Sequence, residues 1–200
     1  MSFMPAFDRF PVEGAIIGKM VVGYGELEMD WLTCLEAVFG NFKTAARVMY
    51  RLRTEANRFD VGDAVLKPYY EKLDMSADYD QAYGVFNRCK KIRNNHAHCH
   101  WADSAGNLFY TIFEDAVKSR GDDSSLSFFH VDLKLLQKQL DLFEHCQDHL
   151  MYLRYEARAR THKQTQALYL KPKTMQLVPL HNPIDSSPSF LQGLPLIAPA

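Results

Sequence analysis

One stretch, Arg93-Asn94-Asn95-His96-Ala97-His98, holds residue types that can work on a phosphodiester. An arginine is followed at once by an amide and, five positions on, by a histidine, with Arg88, Lys90 and Lys91 just upstream. The planar guanidinium fork grips phosphate in two places. Imidazole, with an ordinary pKa near 6.5, suits proton transfer at neutral pH. Together they form a minimum set for cleaving RNA without a metal: arginine stabilises the charge that builds around phosphorus, and histidine moves the proton. On an ideal helix positions 93 and 98 lie about 140° apart, whereas Asn94 and His98, four residues apart, share a face. Arg93 and His98 therefore meet on one substrate only if the helix ends or bends near Ala97, or if two chains pool their residues in a twofold dimer.

The same residues have a structural reading. Arg93 can pair with Glu28, and His98 can satisfy the last carbonyls of a helix, where the macrodipole favours a cation. His96 continues the apolar stripe of Val85, Cys89 and Ile92 and is expected to be a half-buried structural histidine. His96 and His100 have the four-residue spacing of a metal chelate, but an HExxH pattern is absent and the helix is expected to have ended by 100, so no metal or other cofactor is expected. There is no glycine-rich phosphate loop or nucleophile elbow, and Gly23-Tyr24-Gly25 lacks the strand a dinucleotide site needs. Arg47, Arg51, Arg53 and Arg58, and later Arg154, Arg158 and Arg160, read either as a phosphate-binding rim or as solvated helix faces interspersed with Glu55, Asp60 and Glu156.

The elements that must position the motif are mostly helices. Residues 1–12 read as an irregular leader broken by Pro5 and Pro11. From Gly14, Ile17, Val21, Tyr24, Leu27, Trp31, Leu35 and Phe39 step by three or four and draw one apolar stripe, which Gly40-Asn41 ends. Helices follow over about 43–52 and about 55–73, the second with Pro68 inside it. Ser76, Asp78 and Asp80 are candidate caps for the motif helix. Trp101 to Phe113, turning through Asp103–Asn107, reads as a β-hairpin. Asp132 is placed to cap a last helix of about 132–159 with Leu133, Leu136, Leu140, Phe143, Leu150 and Leu153 inward. Beyond about 161 the periodicity stops. Six of the nine prolines fall there, so the end of the chain reads as an extended tail, laid along the domain through Leu168, Leu177 and Leu180.

A chain of 200 residues suffices for one domain with a core plus a tail, and a net charge of −1 excludes a polybasic protein, so any nucleic-acid contact must come from a local patch. Cys34, Cys89, Cys99 and Cys146 have no CxxC spacing and read as free thiols of a reducing compartment. Neither a signal peptide nor a membrane span is apparent, and the cytoplasm is the expected location.

A mainly α-helical bundle whose later helix ends in Arg93-Asn94-x-x-x-His98 resembles the HEPN superfamily, the higher eukaryotes and prokaryotes nucleotide-binding domains. The similarity spans about 14–158 and includes Tyr24-Gly25-Glu26-Leu27-Glu28 on the first helix, the motif helix, the small β-hairpin and the closing long helix. The proline-rich tail departs from the pattern. The resemblance implies an antiparallel helical bundle over 13–160 and a metal-independent endoribonuclease of a toxin–antitoxin, antiviral-defence or RNA-processing system. It implies a homodimer in which Arg93 and His98 of two chains meet across an interface, an RNA substrate, and in some members an antitoxin or regulatory protein. By the resemblance Asn94 takes the polar place beside the arginine and Glu28 the acidic place on the first helix; Lys90 and Lys91, in the basic cluster just upstream of the motif, are read separately as supporting the substrate. Other members bind nucleotides without turnover or serve as scaffolds, and both alternatives stand beside the enzyme.

Overall fold

The computed structural model describes residues 4–104, 106–114, 127–162 and 169–183. Their elements are α1 (Pro5–Arg9), α2 (Pro11–Phe39), α3 (Phe42–Met49), α4 (Glu55–Lys72), α5 (Ser76–His98), β1 (His100–Ser104), β2 (Asn107–Thr111), β3 (Phe128–Val131) and α6 (Leu133–Thr161). The protein is mainly helical, with one small antiparallel sheet in the order β1-β2-β3.

Local chemistry sets most boundaries. Gly40 adopts φ +81°, the left-handed conformation that ends α2 at little cost to a residue without Cβ. Asn41 then caps α3, its Oδ1 accepting from Thr44 N at 2.8 Å, and Thr54 Oγ1 accepts from Asn57 N at 3.2 Å to cap α4. Asp132 Oδ1 accepts from Leu135 N at 2.7 Å and opens α6. Pro68 sits inside α4, as the sequence requires.

Two expectations need correction. The leader is not irregular: Pro5 begins α1 and Pro11 begins α2. Proline breaks a helix interior but suits its first turn, where its missing N–H has no partner to lose. The expected hairpin is also two strands of a three-stranded sheet. Ser104 pairs with Asn107 and His100 with Thr111, and β3 then adds to β2 with Leu108 opposite Val131 and Thr111 opposite Phe128. Leu133 faces solvent at 44 % exposure because it stands directly after the cap, while Leu136, Leu150 and Leu153 are fully inside.

The described residues fall within two compact units. The first draws on 1–21, 91–140 and 178–200. Its core takes in both faces of β2, whose Leu108, Phe109, Tyr110 and Thr111 are all buried, together with Leu135 and Leu136 of α6. Phe7 of α1 lies against Trp101 at 5.4 Å between ring centroids. A Cβ on Gly14 would lie 3.0 Å from the Phe7 ring, so a larger residue there would make that ring give by a few tenths of an ångström. The tail joins this unit: Asn182 N donates to His130 O at 2.9 Å as an extra antiparallel bridge, and Val178 is buried.

The second unit draws on 22–90 and 141–177. Its core is aromatic: Trp31 stacks on Phe86 at 5.3 Å, Phe86 meets Phe59 at 4.7 Å, and Tyr70 stacks on Tyr79 at 5.2 Å. Tyr79 satisfies its hydroxyl by donating to Asp63 at 2.7 Å. Cys34, Cys89 and Cys146 are buried free thiols, and burial pushes Cys34 up to about 12, so it is a core residue rather than a nucleophile. Tyr169 of the tail stacks on Tyr155 and donates to Asp148 at 2.8 Å. No helix among the described residues is long and apolar enough to cross a membrane.

Candidate functional site

Helix α5 carries the motif to its last residue, since its span closes on His98. Its apolar stripe of Ala82, Val85, Phe86, Cys89 and Ile92 is buried, which fixes the rotation of the helix about its axis. That rotation turns His96 inward, to 4 % exposure, and leaves Ala97 and His98 outside. Arg93, Asn94 and Asn95 lie half-buried at the margin. Because the helix runs unbroken past Ala97, Arg93 and His98 keep the angular separation of helical residues five apart.

Beside this last turn is a cleft of about 310 Å³ lined by Asn94, Asn95, His98, Ile112 and Glu114. The amide and the histidine that share a helix face thus share a cleft. Oδ1 of Asn94 is buried and accepts no hydrogen bond among the described residues. Arg93 is not part of the lining, so a single cleft offers an imidazole, two amides and a carboxylate but no guanidinium. Ile112 and Glu114 follow directly on β2; nothing in their local sequence marks them, and only the antiparallel return of the hairpin brings them beside α5.

The other expected site residues are placed separately. Lys91 is exposed on α5. Glu28 belongs to the second unit, where its carboxylate meets Arg58 at 3.5 Å. Lys90, also of that unit, holds its ammonium 4.4 Å from the centroid of the Phe59 ring, a cation–π contact.

His96 has a defined structural task. Its Nε2 lies 2.8 Å from Gln139 Oε1, and Gln139 Nε2 donates to Pro179 O at 2.9 Å and to Leu180 O at 3.2 Å. An amide whose NH₂ is committed to two carbonyls presents its oxygen to the histidine, so the Nε2 of His96 carries a proton and donates to it. Burial holds its pKa below the ordinary value, the hydrogen bond to Gln139 opposing this in part. His96 therefore anchors the tail through a buried glutamine. His100 lies in β1, exposed, with its ring 4.5 Å from that of Phe113, so the two histidines do not share a helix face. Among the described residues no three His, Cys, Asp or Glu side chains converge as metal ligands.

On α6, in the second unit, His145 and His149 bring their Nε2 atoms to 2.9 Å, and burial holds both below the ordinary imidazole pKa. No protein-family model, curated protein or solved structure matches the chain.

Proposed function

We propose that the chain is a HEPN-like endoribonuclease that cleaves RNA without a metal by attack of the substrate's own 2′-hydroxyl. The observation that carries this reading is His98, exposed at the end of α5 in a cleft it shares with Asn94. In this reading the 2′-oxygen forms a bond to phosphorus and the bond to the 5′-oxygen breaks, leaving a 2′,3′-cyclic phosphate and a 5′-hydroxyl. One imidazole takes the 2′-hydroxyl proton and another, protonated, gives a proton to the departing 5′-oxygen. Asn94 donates its amide N–H to a phosphate oxygen or base, and guanidinium stabilises the charge on the equatorial oxygens.

One cleft supplies one imidazole, no guanidinium and the acidic Glu114, which disfavours a polyanion. The reaction therefore needs a second chain, related by a twofold axis, that brings its own Arg93 and His98. Sedimentation at micromolar concentration should give the dimer mass, and a monomer across that range would exclude the paired site. Cleavage should persist in excess chelator and leave cyclic phosphate ends, read by end-specific labelling of the products. Activity lost in chelator and restored by zinc or manganese would replace this mechanism with a metal-dependent one.

A second reading keeps the same site without turnover. It is favoured by the half-buried setting of Arg93 outside the cleft lining, which suits a fixed phosphate anchor better than a group that engages a transition state. Arg93→Ala weakening nucleotide binding in a protein that cleaves no RNA would establish it.

A further inference from the structure

The second unit carries a concentration of cations that no local partner explains. From Gly40 to Thr54 the chain has Lys43, Arg47, Arg51 and Arg53 and not one acidic residue, in a protein whose net charge is −1. All four are exposed, and none makes an ion pair among the described residues. Other cations of this unit are committed. Arg58 meets Glu28, Arg154 meets Glu36 at 3.7 Å, and Arg160 bonds Glu156 at 2.8 Å and the carbonyl of Leu73 at 2.6 Å.

Helix stability accounts for Arg47, a cation in the last turn of α3, but not for the others. Lys43 stands in the first turn of α3, where the macrodipole favours acidic side chains, and that turn has none. Aromatic surface accompanies the charge. Tyr50 is 59 % exposed and Phe42 37 % exposed, each beside one of the cations in sequence. The guanidinium of Arg58 lies 5.6 Å from the centroid of the Tyr50 ring, which holds the ring in place while leaving more than half of the residue open.

We propose that Lys43, Arg47, Arg51 and Arg53, with Tyr50 as a stacking platform, form a binding surface for single-stranded nucleic acid. Cations track the backbone phosphates and an exposed ring takes an unstacked base, a combination a duplex cannot use because its bases are already stacked. A membrane surface fits less well. Ala45 and Met49 of α3 are buried in the unit, and the apolar side chains the helix does expose, Phe42 and Val48, are each only 37 % exposed, short of the continuous apolar face an interfacial helix inserts. The surface stands independently of the cleavage reading.

The test uses the full chain and fluorescein-labelled oligothymidylate of about twelve nucleotides, read by anisotropy. This probe lacks a 2′-hydroxyl, so the proposed cleavage cannot consume it, and loss of binding is separable from loss of cleavage. Four phosphate contacts should give a plot of log K against log salt with a slope of about −2.8, hence about fiftyfold weaker binding at roughly 200 mM than at roughly 50 mM salt. Replacing the four cations by Gln should flatten that slope, whereas R47K/R51K/R53K should keep it. Tyr50→Ala should weaken binding roughly 5- to 150-fold with the slope unchanged. Circular dichroism checks that each variant is folded. Duplex DNA bound as tightly as the single strand, phosphatidylserine vesicles bound in its place, or Gln variants that bind like the parent would each overturn the proposal.

Discussion

His98→Ala is expected to lower the rate of RNA cleavage by about 10²- to 10⁴-fold while leaving the melting temperature nearly unchanged. The rate loss follows from removing the one imidazole that the cleft presents. The thermal result follows from position: His98 is exposed, ends its helix and anchors nothing in the core. The replacement forfeits only the small favourable interaction of a cation with a helix C-terminus, about 0.3–1 kcal/mol when the ring is charged. The pair of readouts separates the functional role from the structural one, because a histidine kept for the helix end alone would move stability and not turnover. Full cleavage by a folded His98→Ala protein would remove this residue from the mechanism.

What the sequence made legible was local. Asn41, Thr54 and Asp132 act within three residues of themselves, and each caps the helix it precedes. Tyr24, Leu27, Trp31 and Leu35 repeat at helical spacing, and all four are buried. That periodicity on α5 also sorted His96 from His98, two residues apart on one helix, into a buried ring and an exposed one. What stayed hidden depended on contacts between distant segments. Strand β3 is four residues long, too short for a period to show, and exists because β2 offers it an edge. Ile112 and Glu114 reach the cleft through a hairpin closure rather than any motif of their own. Gln139 looks like an ordinary polar position on α6, yet it is fully buried because His96 and two tail carbonyls use all of its hydrogen-bonding atoms that face them.

That buried link makes His96→Ala the converse experiment. The substitution removes a ring packed 5.5 Å from Trp101 and 6.1 Å from Tyr110 and leaves Gln139 Oε1 inside the protein without its donor. An orphaned buried acceptor and an unfilled space together cost about 3 kcal/mol, roughly a 6–12 °C fall in melting temperature for a chain of this size. The folded fraction should still cleave RNA in the proposed reaction, since His98 is untouched. Acid should expose the same group. Burial lowers the pKa of His96 in the folded state, so the unfolded chain binds the proton more readily, and stability must fall as pH drops below the unfolded value near 6.5. His145 and His149 shift in the same direction, and His96→Ala should therefore reduce the slope of stability against pH without abolishing it. Urea unfolding at about pH 7.5 and about pH 5.5 measures this directly. An unchanged slope would mean that His96 is already solvated or protonated in the fold, and the chain of hydrogen bonds from α5 through Gln139 to the tail would then not be what holds residues 179 and 180 in place.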